Sequence, residues 1–448
     1  MSKITRRHFL AAGAAASAPL ILPSRVLGRA GNPGPNDQIT VGCIGLGPMG
    51  NRHRGAVTDY ADDARVVALC DVDTERLAAA ATHYDEGEVG KYTDYRYILD
   101  RNDIDAVTIG TPDHWHGVQT VHACLAGKDV YVEKPASKTI AEGKAMVAAA
   151  RENNCVIQVG SQGRSFAPFY PICNYIRNGE LGDITRVDFW HGRNPTGGDA
   201  EDQEPPDHLD WDMWLGPARW VPYNPDRCHF TFRWFLEYGG GNVRDRGAHV
   251  LSNLQWFLNM DDRGPSRVTA TGTPPAAGNY NVPRDMEVTW EYNDPELVVT
   301  WGQPGQKPGD SDFAYGGVFH GTERSLTVEG GCGAAGPDYR GTPDEEVREY
   351  EPPPDGERAF RTPHHRDHAG RHSGMILHIL NWLDCIKSRE EPIMPIGAGH
   401  RVASACILAN VAYQLGRPLE WDPVEERVIG DEEANRWLHE PGRGPWHV

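Results

Sequence analysis

Between residues 38 and 161, short apolar runs alternate with stretches rich in helix formers. ITVGCIG, RVVALCDVD (65–73), DAVTIGTP (105–112), DVYVEKP (129–135) and VIQVGS (156–161) read as five buried strands. NRHRGAV, TERLAAAATHY, HGVQTVHACLAGK and TIAEGKAMVAAARENN lie after the first four and read as helices. The third closes at Gly127. The fourth opens on Thr139 with Glu142 three residues on, a capping box. Strand and helix in strict alternation predict a parallel, doubly wound sheet.

From about residue 162 the rhythm changes. FYPICNYIRNG predicts a helix and ITRVDFWH a strand, followed by an aromatic, Pro-rich stretch at 192–240 and a helix starting near Gly247. Alternating runs then appear at RVTATGT, MEVTWEY, LVVTWGQ and GVFHGTERSLTVEG. They predict an antiparallel sheet with one face under helices. Helices at 375–388 and 400–416 and an irregular tail finish the chain, and 341–360 reads as an exposed excursion. The organisation is an α/β fold with a parallel-sheet domain at 38–161 and a second α/β domain at 162–448, its sheet mostly antiparallel.

Residues 1–30 do not fit either domain. They have a basic start and then FLAAGAAASAPLIL, too short and Ala-rich for a membrane span. Arg6 and Arg7, between Thr5 and His-Phe-Leu, resemble a twin-arginine export signal. Residues 31–37 read as a spacer. A periplasmic or otherwise exported location is expected, with no transmembrane helix.

The net charge is −19, and residues 1–30 hold five basic residues and no acid, so the remainder carries −24. So acidic a body argues against nucleic acid or an anionic membrane as partner. Nine cysteines stand singly with no CxxC, which argues against a disulfide framework or a zinc knuckle.

Gly45, Gly47 and Gly50 stand as G-x-G-x-x-G, within GLGPMG, between a strand and a helix. That spacing suits a tight turn, close approach to a pyrophosphate, and helix–strand packing. Asp71 follows at the end of the second strand, where a carboxylate accepts from ribose hydroxyls and repels a 2′-phosphate. NAD is therefore the expected cofactor, with Arg76 keeping NADP as the alternative. Lys134, in EKP at the end of the fourth strand, should point into the cofactor crevice and steady a substrate oxygen. Asp245 and His249 stand four apart, one helical turn if a helix runs through both. Histidine suits the removal of an alcohol proton near neutral pH. The aromatics Trp190, Trp211, Trp214, Trp220, Tyr223, Trp234 and Tyr238 read mainly as core, with His191, Arg227 and His229 nearby as candidate substrate contacts. His364, His365, His368 and His372 lie between Pro363 and Gly370 or just beyond, in a loop; no metal is expected.

TPDHWH, GKDVYVEKP, DRGAH, GHR (399–401) and ANRWLHEPGRGPW together resemble the Gfo/Idh/MocA oxidoreductase family, in its secreted bacterial branch with twin-arginine signals. The resemblance implies a Rossmann domain and a second α/β domain whose open sheet borders the active site and mediates contacts in a dimer or tetramer. It implies NAD(P)-dependent chemistry on sugars, polyols and their derivatives. It places the catalytic lysine on Lys134, the substrate-binding aspartate on Asp245 and the acid/base histidine on His249. Leu46, Met49, Thr111, Pro112, His116, Glu133 and Lys134 itself fall in its cofactor-binding segments. Arg244 and Arg246 flank the aspartate where apolar residues are more usual; an acidic sugar or surface acids would be their partners. Export favours a cofactor retained through turnover, in a sugar–sugar oxidoreductase or in a redox-neutral glycosidase, lyase or epimerase. A non-catalytic sugar or cofactor sensor is the reading from another class.

Overall fold

The computed structural model describes residues 38–166, 168–302, 315–329 and 374–448. The export signal, the spacer, the excursion at 341–360 and the four histidines at 364–372 lie outside the described residues.

Six strands form the first sheet: β1 (Ile39–Ile44), β2 (Ala64–Cys70), β3 (Gly90–Tyr92), β4 (Ala106–Ile109), β5 (Asp129–Val132) and β6 (Ile157–Val159). Their order is β3-β2-β1-β4-β5-β6 and every pair is parallel. The five apolar runs are β1, β2, β4, β5 and β6. β3 is the unforeseen strand: its three residues, GKY, carry no apolar run, and it sits at the edge beside β2. β1 is buried at all six positions, as a central strand covered on both faces must be. The capping box forms as read: Thr139 Oγ1 accepts from the Glu142 N–H at 3.2 Å and Glu142 Oε2 from the Thr139 N–H at 3.1 Å.

One face of this sheet is covered by a helix from far along the chain. Gly374–Ser388 lays Ile379, Trp382 and Leu383 into the apolar cluster that contains Val41, Leu69 and Tyr131. A sequence cut at residue 161 is therefore not a cut in space, because the second half supplies part of the cover the first sheet needs.

The second sheet has eight strands: β7 (Ile184–His191), β8 (Arg267–Thr273), β9 (Asp285–Asn293), β10 (Glu296–Gly302), β11 (Tyr315–Gly321), β12 (Ser325–Glu329), β13 (Leu419–Asp422) and β14 (Arg427–Val428). The order is β12-β11-β7-β10-β9-β8-β13-β14, antiparallel except for the parallel pair β7–β10. The alternation in β9 is the expected one: Met286, Val288, Trp290 and Tyr292 are buried, and Glu287 faces outward. Helices Gly247–Phe257 and Ile396–Leu415 pack together, and the second also packs on β8. The tail is less irregular than its sequence implies. β13 extends the sheet beside β8, with the Trp421 N–H donating to the Ser266 carbonyl at 2.7 Å. Four residues are too few to show a period in the sequence. No helix among the described residues is long and apolar enough to cross a membrane.

Candidate active site

The chemistry gathers at the carboxyl ends of β1, β2, β4, β5 and β6, around the point where the strand order reverses between β1 and β4. A cavity of about 460 Å³ opens there, between the two sheets' domains. Gly45 leaves β1 at φ +80°, and a Cβ on it would come within 2.8 Å of the backbone of Gly110 and Thr111. A Cβ on Gly50 would lie 1.8 Å from the Gly45 carbonyl oxygen. The glycines thus bring the turn, β4 and the helix Pro48–Tyr60 into backbone contact. Gly47 is that helix's N-cap, with Pro48 at its first position, so the helix's free N–H groups face the cavity. Gly47 and Met49 line the cavity. Leu46 and Gly50 do not: Leu46 is core, its N–H donating to Asp71, and Gly50 serves packing.

Asp71 is held by its own loop. Its two oxygens accept from the Leu46 N–H at 2.6 Å and the Asp73 N–H at 2.9 Å. Burial pushes its carboxyl up, while those two bonds and Arg76 pull against the rise. Each oxygen keeps acceptor capacity toward a ribose hydroxyl. Arg76 is drawn toward Asp73, Nε 3.7 Å from its Oδ2. A glycine cradle, a helix N-terminus and a ribose-facing carboxylate in one cavity fit NAD.

The second domain reaches over this end. The Asp210 N–H donates to the Val72 carbonyl at 3.0 Å, the Thr74 N–H to the His208 carbonyl at 2.9 Å, and His229 Nε2 lies 3.0 Å from Asp73 Oδ2. His229 lines the cavity, but at the adenosine end and not among the sugar contacts expected of it.

At the other end Glu133 and Lys134 follow β5. Glu133 is buried and accepts from Gln162 Nε2 at 2.9 Å, with His53 Nε2 at 3.0 Å. Burial pushes this carboxyl up, but His53, Lys134 and His116 outweigh it and hold it below its ordinary value. Lys134 Nζ crosses to the second domain and donates to Asp245 Oδ1 at 2.6 Å and to the Asp245 carbonyl at 3.1 Å. Arg233 Nε and Arg246 Nε lie 3.5 and 3.6 Å from the other oxygen of Asp245. Burial would raise the Asp245 carboxyl; Lys134, Arg233 and Arg246 hold it far below the usual carboxylate range instead.

Asp245 and His249 both line the cavity, but no single helix runs through them. Asn242–Asp245 and Gly247–Phe257 are separate helices meeting at Arg246, and the His249 N–H donates to the Arg246 carbonyl at 3.0 Å. The carboxylate's strong partner is Lys134. Burial, reinforced by Lys134 and Arg246, pushes the His249 imidazole well below its ordinary value. Its buried Nδ1 has no hydrogen-bond partner among the described residues. The site therefore pairs Lys134 with an ionised Asp245, beside a histidine whose burial disfavours the protonated form.

Thr111, Pro112 and His116 line the cavity after β4, and His116 bridges the carbonyls of Thr111 at 2.9 Å and Pro135 at 2.8 Å. Three other candidates are used elsewhere. Arg244 is buried and spent on the carbonyls of Ser137 at 2.6 Å and Lys138 at 2.9 Å. Arg227 lies over the Phe235 ring at 4.8 Å and donates to Tyr238 Oη at 3.3 Å. His191 stacks on Trp301 at 5.6 Å and lies outside the cavity wall. The aromatic stretch is largely core, as read, with Trp211, Trp214 and Tyr238 buried together; Trp220 is 56% exposed. Gln162 and Arg233 are among the cavity residues that escaped the sequence reading. Gln162 follows the strand run VIQVGS directly, a position the strand-end rule singles out. Arg233 has no motif around it. Among the described residues no group of three His, Cys, Asp or Glu side chains is placed to hold a metal ion.

His249 is not alone in being buried and neutral. Burial lowers the pKa of His114 to about 3 and of His378 to about 4. Free histidine titrates near 6.5. Below that pH the unfolded chain takes up protons that the folded chain refuses, so stability falls as pH falls. The loss is about 2 kcal/mol per such histidine by pH 5. Asp71, Asp113 and Glu142, with carboxyls raised by burial, oppose this only as the pH enters the carboxylate range. The melting temperature, followed from pH 7 to pH 5 at fixed NAD, should drop steeply; a flat profile contradicts three neutral buried histidines.

Residues 39–161 match the model of the oxidoreductase family's NAD-binding Rossmann fold, and residues 182–322 and 366–448 match its C-terminal α/β domain. The chain is 29% identical over 157 residues to inositol 2-dehydrogenase of Salmonella paratyphi B, covering 35% of this chain and 46% of that protein. It is 33% identical over 160 residues to glycosyl hydrolase family 109 protein 2 of Shewanella sp. strain ANA-3, covering 33% of this chain and 34% of that protein. Both matches span less than half of the relative's length. The fold is similar to that of the WlbA dehydrogenase of Bordetella pertussis, solved in complex with NADH and UDP-GlcNAcA. The TM-score is 0.61 at 19% identity, over 86% of this chain and 99% of that one. The chain belongs to the Gfo/Idh/MocA oxidoreductase family and carries its NAD-binding Rossmann domain.

Proposed function

We propose that the protein transfers hydride to or from a CH–OH carbon of a sugar, polyol or sugar derivative, using an NAD that stays bound through turnover. The observation that carries this reading is the Lys134–Asp245 pair with His249 at one end of a cavity whose other end is the dinucleotide cradle. Bound NAD supplies the hydride acceptor or donor. The protein's residues handle the proton. Lys134 has three N–H donors, and Asp245 takes two at its carboxylate and carbonyl, leaving one for the substrate oxygen. That bond stabilises charge developing on the oxygen. His249, neutral in its buried setting, accepts the hydroxyl proton and returns it in the reverse direction.

The glycosyl hydrolase family 109 relative favours a second reading on the same residues. A base beside a transiently oxidised carbon can take the neighbouring C–H proton and so permit loss of a leaving group, with no net redox change. Export by the twin-arginine route, which carries folded proteins, agrees with a cofactor loaded before departure. The strap over the adenosine end supports retention. A homodimer or homotetramer completes the proposal.

Native mass spectrometry of protein purified without added NAD should find one nucleotide per subunit and report the subunit number. The same sample, given sugars and aryl glycosides and no cofactor, should turn over at least one class. Protein isolated without nucleotide and dependent on free NAD would refute retention. Bound NAD with no turnover across the panel would refute the enzyme reading and leave the sensor.

A further inference from the structure

We propose that the protein holds a second, non-catalytic binding site, for a neutral carbohydrate, in a separate cavity next to the segment that carries Asp245. This cavity has a volume of about 440 Å³ and shares no lining residue with the first. The helix Ile396–Leu415 supplies Asn410 and Gln414, the stretch before Asp245 supplies Glu237 and Arg244, and the tail supplies Arg436 and Trp437. Consecutive residues thus serve different cavities: Arg244 lines this one and Asp245 the first.

Two buried lining residues carry polar atoms left unpaired by the protein. Asn410 and Arg244 are 6% and 4% exposed, and Asn410 Oδ1 and Arg244 Nε have no hydrogen-bond partner among the described residues. Both side chains are fixed. Asn410 Nδ2 donates to the Gly240 carbonyl at 3.0 Å, and the other nitrogens of Arg244 serve the carbonyls of Ser137 and Lys138. A desolvated acceptor and a desolvated donor want a ligand that offers both, and a hydroxyl group does. It answers them directly or through one ordered water. Trp437 lines the same cavity and is 45% exposed, so its ring offers an apolar surface to the CH face of a sugar.

The charges of this wall do not select an anion. Lys138 is paired with Glu440, and its own N–H donates to Glu142 Oε2 at 2.9 Å. Arg244 has Asp113 at 4.0 Å. Arg436 and Glu237 add one charge of each sign, and His439 is the remaining titratable group of the lining. The helix N-terminus at Thr139 is closed by its own capping box, so it offers no seat for a phosphate either. An apolar ligand would leave Asn410 and Arg244 as they are. A neutral polyhydroxylated ring meets the buried polar atoms, the exposed Trp437 and the balanced charge together.

The full chain, loaded with NAD, is followed by amide hydrogen exchange with and without near-saturating maltose, cellobiose or N-acetylglucosamine. At least one of these sugars should slow exchange in peptides covering 407–414 and 436–440. Trp437→Ala should weaken that sugar's binding roughly tenfold and Gln414→Ala roughly threefold, with the nucleotide content of the parent as the sign of an intact fold. No protection of these peptides by any of the three sugars overturns the proposal, as does protection that survives both substitutions. Inorganic phosphate giving the same protection overturns the carbohydrate assignment. Protection that follows protein concentration and not sugar also overturns it and makes this surface a contact between copies of the chain. The readout is resolved by peptide and needs no turnover, so an inactive protein that passes it would sink the oxidoreductase reading alone.

Discussion

Lys134→Ala and His249→Ala should each lose well over a hundredfold in turnover while the protein still binds NAD. A hundredfold is about 2.7 kcal/mol of transition-state stabilisation. Removing one charge-assisted donor from a desolvated oxygen, or the group that takes its proton, costs that much or more. NAD binding should survive because the glycine turn and Asp71 lie at the other end of the cavity, held by backbone bonds that neither residue touches. The two losses should not multiply in the double variant, since both residues serve one proton and one oxygen. Asp245 offers an internal check. Without Lys134 its carboxylate keeps only the looser contacts to Arg233 and Arg246, at 3.5 and 3.6 Å. Single-turnover rates on the protein's own bound nucleotide, beside native mass spectra, separate lost chemistry from lost cofactor. Near-normal rates in both single variants would mean that the proton moves elsewhere.

The halves of this site differed in how far they could be read from the sequence. The dinucleotide end is local: three glycines, a strand on one side, a helix on the other, and Asp71 at the next strand's end. Each has a backbone reason to be where it is, so spacing alone finds it. The substrate end is assembled across 111 residues of chain, where Lys134 meets Asp245. Spacing says nothing about such a contact, and the family resemblance supplied the pairing of motifs. The four-residue spacing would put Asp245 and His249 one turn apart on a single helix, whereas the chain breaks at Arg246 and the carboxylate pairs with Lys134. Arg233 shows the limit most clearly. It stands in an aromatic stretch whose residues are mostly core, and only folding turns it to the cavity. Arg244 and Arg246 were indistinguishable in sequence, yet one is consumed by the carbonyls of Ser137 and Lys138 and the other lines the cavity.

Gly50→Ala should abolish NAD binding, and Gly55→Ala, five residues along the same helix, should not. At Gly50 the added methyl would stand 1.8 Å from the Gly45 carbonyl oxygen, an overlap that no rotamer relieves because the obstacle is backbone. Gly45 cannot retreat, since it already packs against Gly110 and Thr111, and its φ of +80° disfavours other conformations of the turn. The helix must therefore move off the sheet, carrying its N-terminal N–H groups away from where a pyrophosphate would sit. A shift of that kind also opens the packing between Pro48–Tyr60 and β1, so several kcal/mol of stability should go with it. At Gly55 the nearest obstacle is the end of the Asp59 side chain at 3.5 Å, ordinary contact distance. There the methyl should raise stability by up to about 1 kcal/mol through helix propensity alone. Nucleotide content by mass spectrometry and melting temperature, measured on both variants, distinguish a steric cradle from a general dislike of alanine in this helix. Gly50→Ala protein that retained NAD and melted like the parent would show that the turn yields where its backbone contacts say it cannot.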